Sequence, residues 1–132
     1  MVYTHKVRVR YAECDQMGFL HHSVYALYLE EARTEQMRSK GITYKEMEDS
    51  GLIMPLRSMS FEFKKAGRYD DLLDIEVWIP EKPTIRCTFH YRIINQNGEV
   101  LGTATTEMFY ARKSDLRPVK VPQIILDKYE FN

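Results

Sequence analysis

The sequence predicts an α+β domain in which a five-stranded, largely antiparallel sheet wraps one long helix. Three observations carry that expectation. Apolar and polar residues alternate with a period of two at the start of the chain, the same period returns in four stretches of the second half, and one long helical segment free of Gly and Pro lies between them. Late strands joined by hairpins pair antiparallel. One sheet with one apolar helix buries both faces most simply when the sheet curls round the helix. The chain, 132 residues long, is read as one domain over residues 1–132, since it is too short for two.

Taken in order, Tyr3, His5, Val7, Val9 and Tyr11 alternate with Thr4, Lys6, Arg8 and Arg10, the pattern of a half-buried strand. A helix is expected from about Ser23 to Lys40, with Gly41 as its stop. Val24 to Leu29 is apolar nearly all round and Glu30 to Lys40 mostly polar, so the first half should be the enclosed one. Thr43-Tyr-Lys-Glu46 has capping-box spacing and predicts a short helix to Ser50, stopped at Gly51. Period two then returns through Met59, Phe61 and Phe63, through Leu73, Ile75, Val77 and Ile79, and through Ile85, Cys87, Phe89, Tyr91 and Ile93. Asn97-Gly98 is a two-residue hairpin signal leading to a last strand from Val100 to about Ala111. Phe61, Phe63, Phe89 and Tyr91 are expected in the core, some of them lining a pocket. Pro118-Val-Lys-Val-Pro122 reads as an extended surface tail, and Trp78, on the other sheet face, invites a second subunit.

Charge and cysteines narrow the function classes. Lys plus Arg equals Asp plus Glu at 19 each, so no net field draws the chain to nucleic acid or to a membrane surface. No stretch approaches membrane-spanning length, and Met1-Val-Tyr-Thr-His-Lys6 is a strand rather than an apolar leader. Cys14 and Cys87 have no metal-ligand spacing and read as free thiols. A soluble, cytoplasmic protein is expected.

The chemistry is concentrated in Tyr11-Ala-Glu-Cys-Asp15-Gln-Met-Gly18-Phe-Leu-His-His22-Ser-Val-Tyr25, between the first strand and the long helix. Asp15 lies seven or eight residues before the helix start expected at His22 and Ser23, too early to cap it. A carboxylate next to unpaired helix amides suits acyl chemistry: the carboxylate attacks or activates water, and the amides receive the oxyanion. Gly18 lets the backbone turn. His21 and His22 read as turn histidines, one facing in and one out. A metal centre from Glu13, Cys14, Asp15 and the histidines lacks any recognised ligand spacing, and Cys14 should point away from Asp15. Lys64, Lys65, Arg68 and Arg86 are either surface charges or, around Ala66-Gly67-Arg68-Tyr69, a phosphate-holding loop.

The run Tyr11-x-Glu-Cys-Asp15-x-x-Gly18-x-Leu-x-His22-x-x-Tyr25 resembles the 4-hydroxybenzoyl-CoA thioesterase-like branch of the hot-dog-fold acyl-CoA thioesterases, a branch that includes the Tol-Pal-associated thioesterase. Glu31-Ala-Arg33-Thr-Glu35, Phe63-Lys-Lys-Ala66-x-Arg-Tyr69-Asp-Asp71 and Arg117-Pro-Val-Lys-Val-Pro122 resemble further pieces of that family in the same order. The resemblance implies a hot-dog fold, dimers and commonly tetramers, and hydrolysis of acyl-CoA with coenzyme A as part of the substrate and no separate cofactor. It implies Asp15 as the catalytic carboxylate, the His22 amide as oxyanion donor with the His22 side chain at the thioester or its leaving group, Gly18 as the turn glycine and Tyr25 as the aromatic of the first helical turn. Lys65, Arg68 and Tyr69 fall where the nucleotide would be held. Cys14 stands where many relatives have Thr, and Val24 where they have Asn, which bears on acyl-group preference. Two other readings are a hot-dog hydratase or dehydratase and a non-catalytic acyl-CoA-binding module. The latter would have no need of Asp15.

Overall fold

The computed structural model describes residues 1–129. In chain order these form β1 (Tyr3–Arg8), a single 3-10 turn (Tyr11–Glu13), α1 (His22–Ser39), α2 (Tyr44–Asp49), β2 (Leu52–Ile53), β3 (Leu56–Phe63), β4 (Leu72–Trp78), β5 (Arg86–Ile94), β6 (Val100–Phe109), β7 (Ala111–Arg112) and α3 (Gln123–Lys128). Five strands make one antiparallel sheet in the order β1-β4-β5-β6-β3. Its apolar face packs on α1, the expected hot-dog arrangement. Among the described residues no helix is long and apolar enough to cross a membrane.

Alternation sets the buried face. Leu73, Ile75 and Val77 of β4 and Cys87, Phe89, Tyr91 and Ile93 of β5 are all buried, while their sequence neighbours are not. Facing them is a stripe on α1 at helical spacing: Tyr25, Tyr28, Leu29, Ala32, Arg33, Gln36 and Met37. The stripe runs the whole helix, so the division into an enclosed apolar half and a polar half does not hold. Leu27, in the apolar half, is 62% exposed. In the polar half, buried Arg33 donates to the Tyr44 hydroxyl at 3.4 Å and Gln36 accepts from that of Tyr129 at 3.0 Å. These bonds let polar groups enter the core.

Other expectations change for local reasons. Tyr11 is exposed because β1 ends at Arg8 and the chain turns into the 3-10 segment. By contrast Thr43 caps α2 as expected, accepting from the Glu46 amide, and Gly51 follows in the left-handed region. The last strand breaks at Tyr110, and Ala111–Arg112 pairs with β2 instead. Past it, Val121 is buried and α3 begins at Gln123, so the segment from Pro118 is not a surface tail throughout. Phe89 and Tyr91 are core, but Phe61 is half-buried and Phe63 is 54% exposed, because β3 is the edge strand and much of its apolar face lies open.

The outer face of the sheet is charged. Lys6 pairs with Asp74 at 2.7 Å, Arg92 with Glu76 at 2.7 Å, and Arg57 and Arg86 with Glu107 at 3.0 and 2.9 Å. Trp78 lies there, half-buried against His90. The larger exposed apolar side chains of the sheet are on β3 instead.

Candidate active site

Residues 14–20 form a small hairpin between β1 and α1. Cys14 bridges to Leu20, the Asp15 amide donates to the Phe19 carbonyl at 2.8 Å, and the Gly18 amide donates to that of Asp15 at 3.0 Å. Gly18 has φ +81°, a left-handed conformation that glycine adopts without strain. Asp15 Oδ1 accepts from the amides of Met17 at 2.9 Å and Phe19 at 3.1 Å. Its Oδ2 accepts from no described residue. One carboxylate oxygen holds the turn, and the other is unengaged by the described residues.

The hairpin docks on the segment after β3. Leu20 donates to the Gly67 carbonyl at 2.8 Å, and Phe19 bridges to Arg68. Gly67 is buried where a Cβ would lie 3.1 Å from that of Leu20 and 3.3 Å from the Tyr25 hydroxyl. Tyr25 thus supports this contact from below. Burial pushes its hydroxyl above the ordinary range, so it remains a neutral phenol.

The helix starts at His22, within the His22–Ser23 stretch expected, but its cap lies one residue before that stretch. His21 is the N-cap, its Nδ1 taking the Ser23 amide at 3.2 Å, and the Val24 amide donates to the His21 carbonyl. Of these first three helical amides, only that of His22 donates to no described residue. Histidine is not among the residues that usually cap helices, so the sequence hid this role. The two imidazoles stack at 4.2 Å. His21 faces the cap, and His22 faces an open cleft.

That cleft, of about 340 Å³, is lined by Asp15, Phe19, Leu20, His22, Tyr25, Phe63, Lys64, Lys65 and Ala66. The structure therefore brings together Asp15, His22, Tyr25 and Lys65 of the expected set. Gly18 shapes the wall without lining it. Arg68 lies outside, its guanidinium 4.9 Å from the Phe19 ring centre, and Tyr69 packs edge-on to Tyr11. Arg86 is remote, on the outer face with Glu107. Lys65 is ion-paired to Glu99, whereas Lys64 meets no carboxylate among the described residues. Both lysine amides bond to the Leu101 carbonyl, at 2.8 and 3.1 Å, a bulge that ends β3. Among the described residues Lys64 is the lysine of the cleft without an ion-pair partner, which spacing alone could not distinguish from its neighbour.

Glu13 and Cys14 turn away from Asp15. The Cys14 thiol donates to the Arg10 carbonyl at 3.8 Å, and burial raises it above its ordinary range, with Asp15 and Glu13 adding to the effect. A neutral thiol is a poor nucleophile. Burial opposes the charge on Glu13, but hydrogen bonds from Tyr28 and Arg10 outweigh it and hold the carboxyl below the usual range.

The family model of the thioesterase-like superfamily matches residues 9–129. An acyl-CoA thioester hydrolase of Escherichia coli is 26% identical over 124 residues, covering 94% of this chain and 92% of its own. A solved DHNA-CoA thioesterase from Staphylococcus aureus superposes with TM-score 0.90 at 28% identity, over 98% of this chain and 87% of that one. A solved hypothetical protein from Aquifex aeolicus gives TM-score 0.89 at 32% identity, over 96% and 98%.

Proposed function

The chain belongs to the thioesterase-like superfamily, and from that membership we propose that it hydrolyses acyl-CoA thioesters to the free acid and coenzyme A. The observation that carries the reading is the cleft in which Asp15, with one carboxylate oxygen unengaged, meets the start of α1 and its undonated His22 amide. A thioester has weak resonance and a good leaving group, so a carboxylate suffices to open it. Asp15 Oδ2 attacks the carbonyl carbon, the carbonyl oxygen becomes an oxyanion against the His22 N–H, and the C–S bond breaks as the thiolate leaves. Water then hydrolyses the mixed anhydride and restores the carboxylate. The same two groups serve a direct route, in which Asp15 takes a proton from the attacking water.

The other residues fit around this step. The dipole of α1 supports negative charge at its first amide. The His22 imidazole contacts the thioester or assists the leaving sulfur. Gly18 holds the turn, and Tyr25 holds the segment of residues 66–68. Lys64 takes the role of chief phosphate anchor, with Lys65, Arg68 and Tyr69 beside it, since the charge of Lys65 is already engaged by Glu99. Coenzyme A arrives as part of the substrate, and the reaction needs no resident cofactor.

The protein acts as a homo-oligomer, a dimer or a tetramer, within the branch that includes the Tol-Pal-associated thioesterase. The support is β3, an edge strand whose Met59 is 47% and Phe63 54% exposed, with Phe63 also on the cleft wall. A second copy covering β3 would place the site beside the interface. Two free thiols suit the reducing cytoplasm. A panel of acyl-CoA esters followed by thiol release tests the reading. Turnover of at least one ester supports it, and silence across aliphatic and aromatic esters refutes it.

A further inference from the structure

Glu13 stands at the root of the Asp15 hairpin and is bonded through both its main chain and its side chain. Its carbonyl oxygen accepts from the amide of His21, the cap of α1, at 2.9 Å. Its Oε1 accepts from the Tyr28 hydroxyl at 2.6 Å and the Arg10 amide at 2.8 Å, and its Oε2 from the Arg10 guanidinium at 3.2 Å. Tyr28 is 3% exposed, and the Glu13 side chain 11%. Neither lines the cleft. A short hydrogen bond onto a partly buried carboxylate is among the stronger single contacts available to a protein. Burial, and after it the Glu13 carboxylate itself, drives the Tyr28 hydroxyl far above its ordinary range, so the pair stays phenol and carboxylate across the working pH.

We infer that Glu13 and Tyr28 are positioning residues for the hydrolysis proposed above, a role that rests on that reading. The chemistry needs a carboxylate on a loop and an amide on a helix to hold a fixed separation. The loop meets the helix through the His21 amide at its cap and through Tyr28 in the second turn. The cap contact alone is a pivot. The Tyr28–Glu13 bond fixes the angle about that pivot, and with it the distance from Asp15 to the His22 amide. A displacement of about 1 Å between reacting groups can cost on the order of 10²-fold in rate.

The test compares Tyr28→Phe, Glu13→Gln and Glu13→Ala with the wild type, using kcat and KM per folded enzyme, with folding followed by circular dichroism. Tyr28→Phe should lower kcat at least ~10-fold with KM unchanged, since the groups that bind substrate are untouched and only alignment suffers. Glu13→Gln keeps an oxygen to accept from Tyr28 and should recover most of the rate that Glu13→Ala loses. A Tyr28→Phe enzyme that melts earlier but turns over like the wild type has lost only a structural contact, and the inference is overturned. So is it if KM alone changes. Should Glu13→Ala not fold, Tyr28→Phe and Glu13→Gln decide the matter. Wild-type turnover, and its loss in Asp15→Asn, test the functional reading separately, so an active wild type with an indifferent Tyr28→Phe rejects this inference alone.

Discussion

Asp15 and Asn95 hold the same turn with the same atoms. In each, the side-chain Oδ1 accepts from the amides two and four residues ahead: Met17 and Phe19 for Asp15, Asn97 and Glu99 for Asn95. In each, the amide donates to the carbonyl four residues on, and a glycine three residues on, Gly18 or Gly98, donates back. Both glycines have positive φ, +81° and +76°. One turn joins two strands and needs no charge, while the other faces the cleft and carries one.

Asp15→Asn should therefore fold and melt close to the wild type, because an amide oxygen already does this work at Asn95. Asp15→Ala leaves two amides without their acceptor and should lose about 1–2 kcal/mol, the scale of a lost side-chain cap. Thermal melts of the two variants decide it. Equal destabilisation would mean that the Asp15 turn depends on charge after all.

Lys64→Ala should raise KM for a CoA ester while leaving kcat nearly unchanged, since the phosphates lie far from the reacting carbon and are held equally in ground and transition states. The effect should shrink with salt, because exposed charges are screened over roughly 8–10 Å at physiological ionic strength. Lys65→Ala, which frees Glu99, should do less. A pantetheine ester, which lacks the nucleotide, should not register Lys64→Ala, and equal losses on both esters would show that Lys64 serves the fold or the acyl site.

Acid should weaken the fold in a way that Glu13 explains. Its carboxyl titrates lower in the folded chain than the ordinary 4.5, so the folded state binds fewer protons than the unfolded one in that range. The stability it contributes is present above pH 4.5 and is lost as pH falls through the folded value. Denaturant midpoints from pH 6 downward should fall less steeply in Glu13→Gln than in the wild type. Parallel curves would remove Glu13 as a source of the acid sensitivity.

Sedimentation at micromolar concentration should give a mass above the 15.7 kDa of one chain. A Met59→Lys change on the inner face of β3 should shift it toward the monomer by placing a charge on the apolar strand that a second copy would cover. A monomer in the wild type would end the shared-interface model.

The strands and the Asp15 motif were legible in the sequence because both are local. Alternation from Leu73 to Ile79 and from Ile85 to Ile93 needs no knowledge of partners, and Asp15-x-x-Gly18 announces its own turn. What was hidden depends on distant residues. The exposure of Phe63 follows from β3 being an edge, which strand order decides. The pairing of Lys65 with Glu99 and the bulge on the Leu101 carbonyl bring distant segments together, so the cleft lysine without an ion-pair partner among the described residues is Lys64. Asn97-Gly98 does mark a hairpin, but only Gly98 has positive φ, so the turn spans Asn95 to Gly98 and the strand register shifts beside it at Ile93/Ile94. The cap of α1 is not legible because histidine seldom caps a helix.

The most direct measurement is the turnover of Asp15→Asn against the wild type on an acyl-CoA ester that the wild type hydrolyses, with the variant shown folded by thermal melt. Asn keeps the turn and removes the attacking carboxylate, so the rate should fall on the order of 10³-fold or more, the scale on which hydrolases lose a catalytic group. A folded Asp15→Asn that hydrolyses the ester within about threefold of the wild type, only ~0.65 kcal/mol of barrier, would contradict the role given to Asp15 and the mechanism built on it.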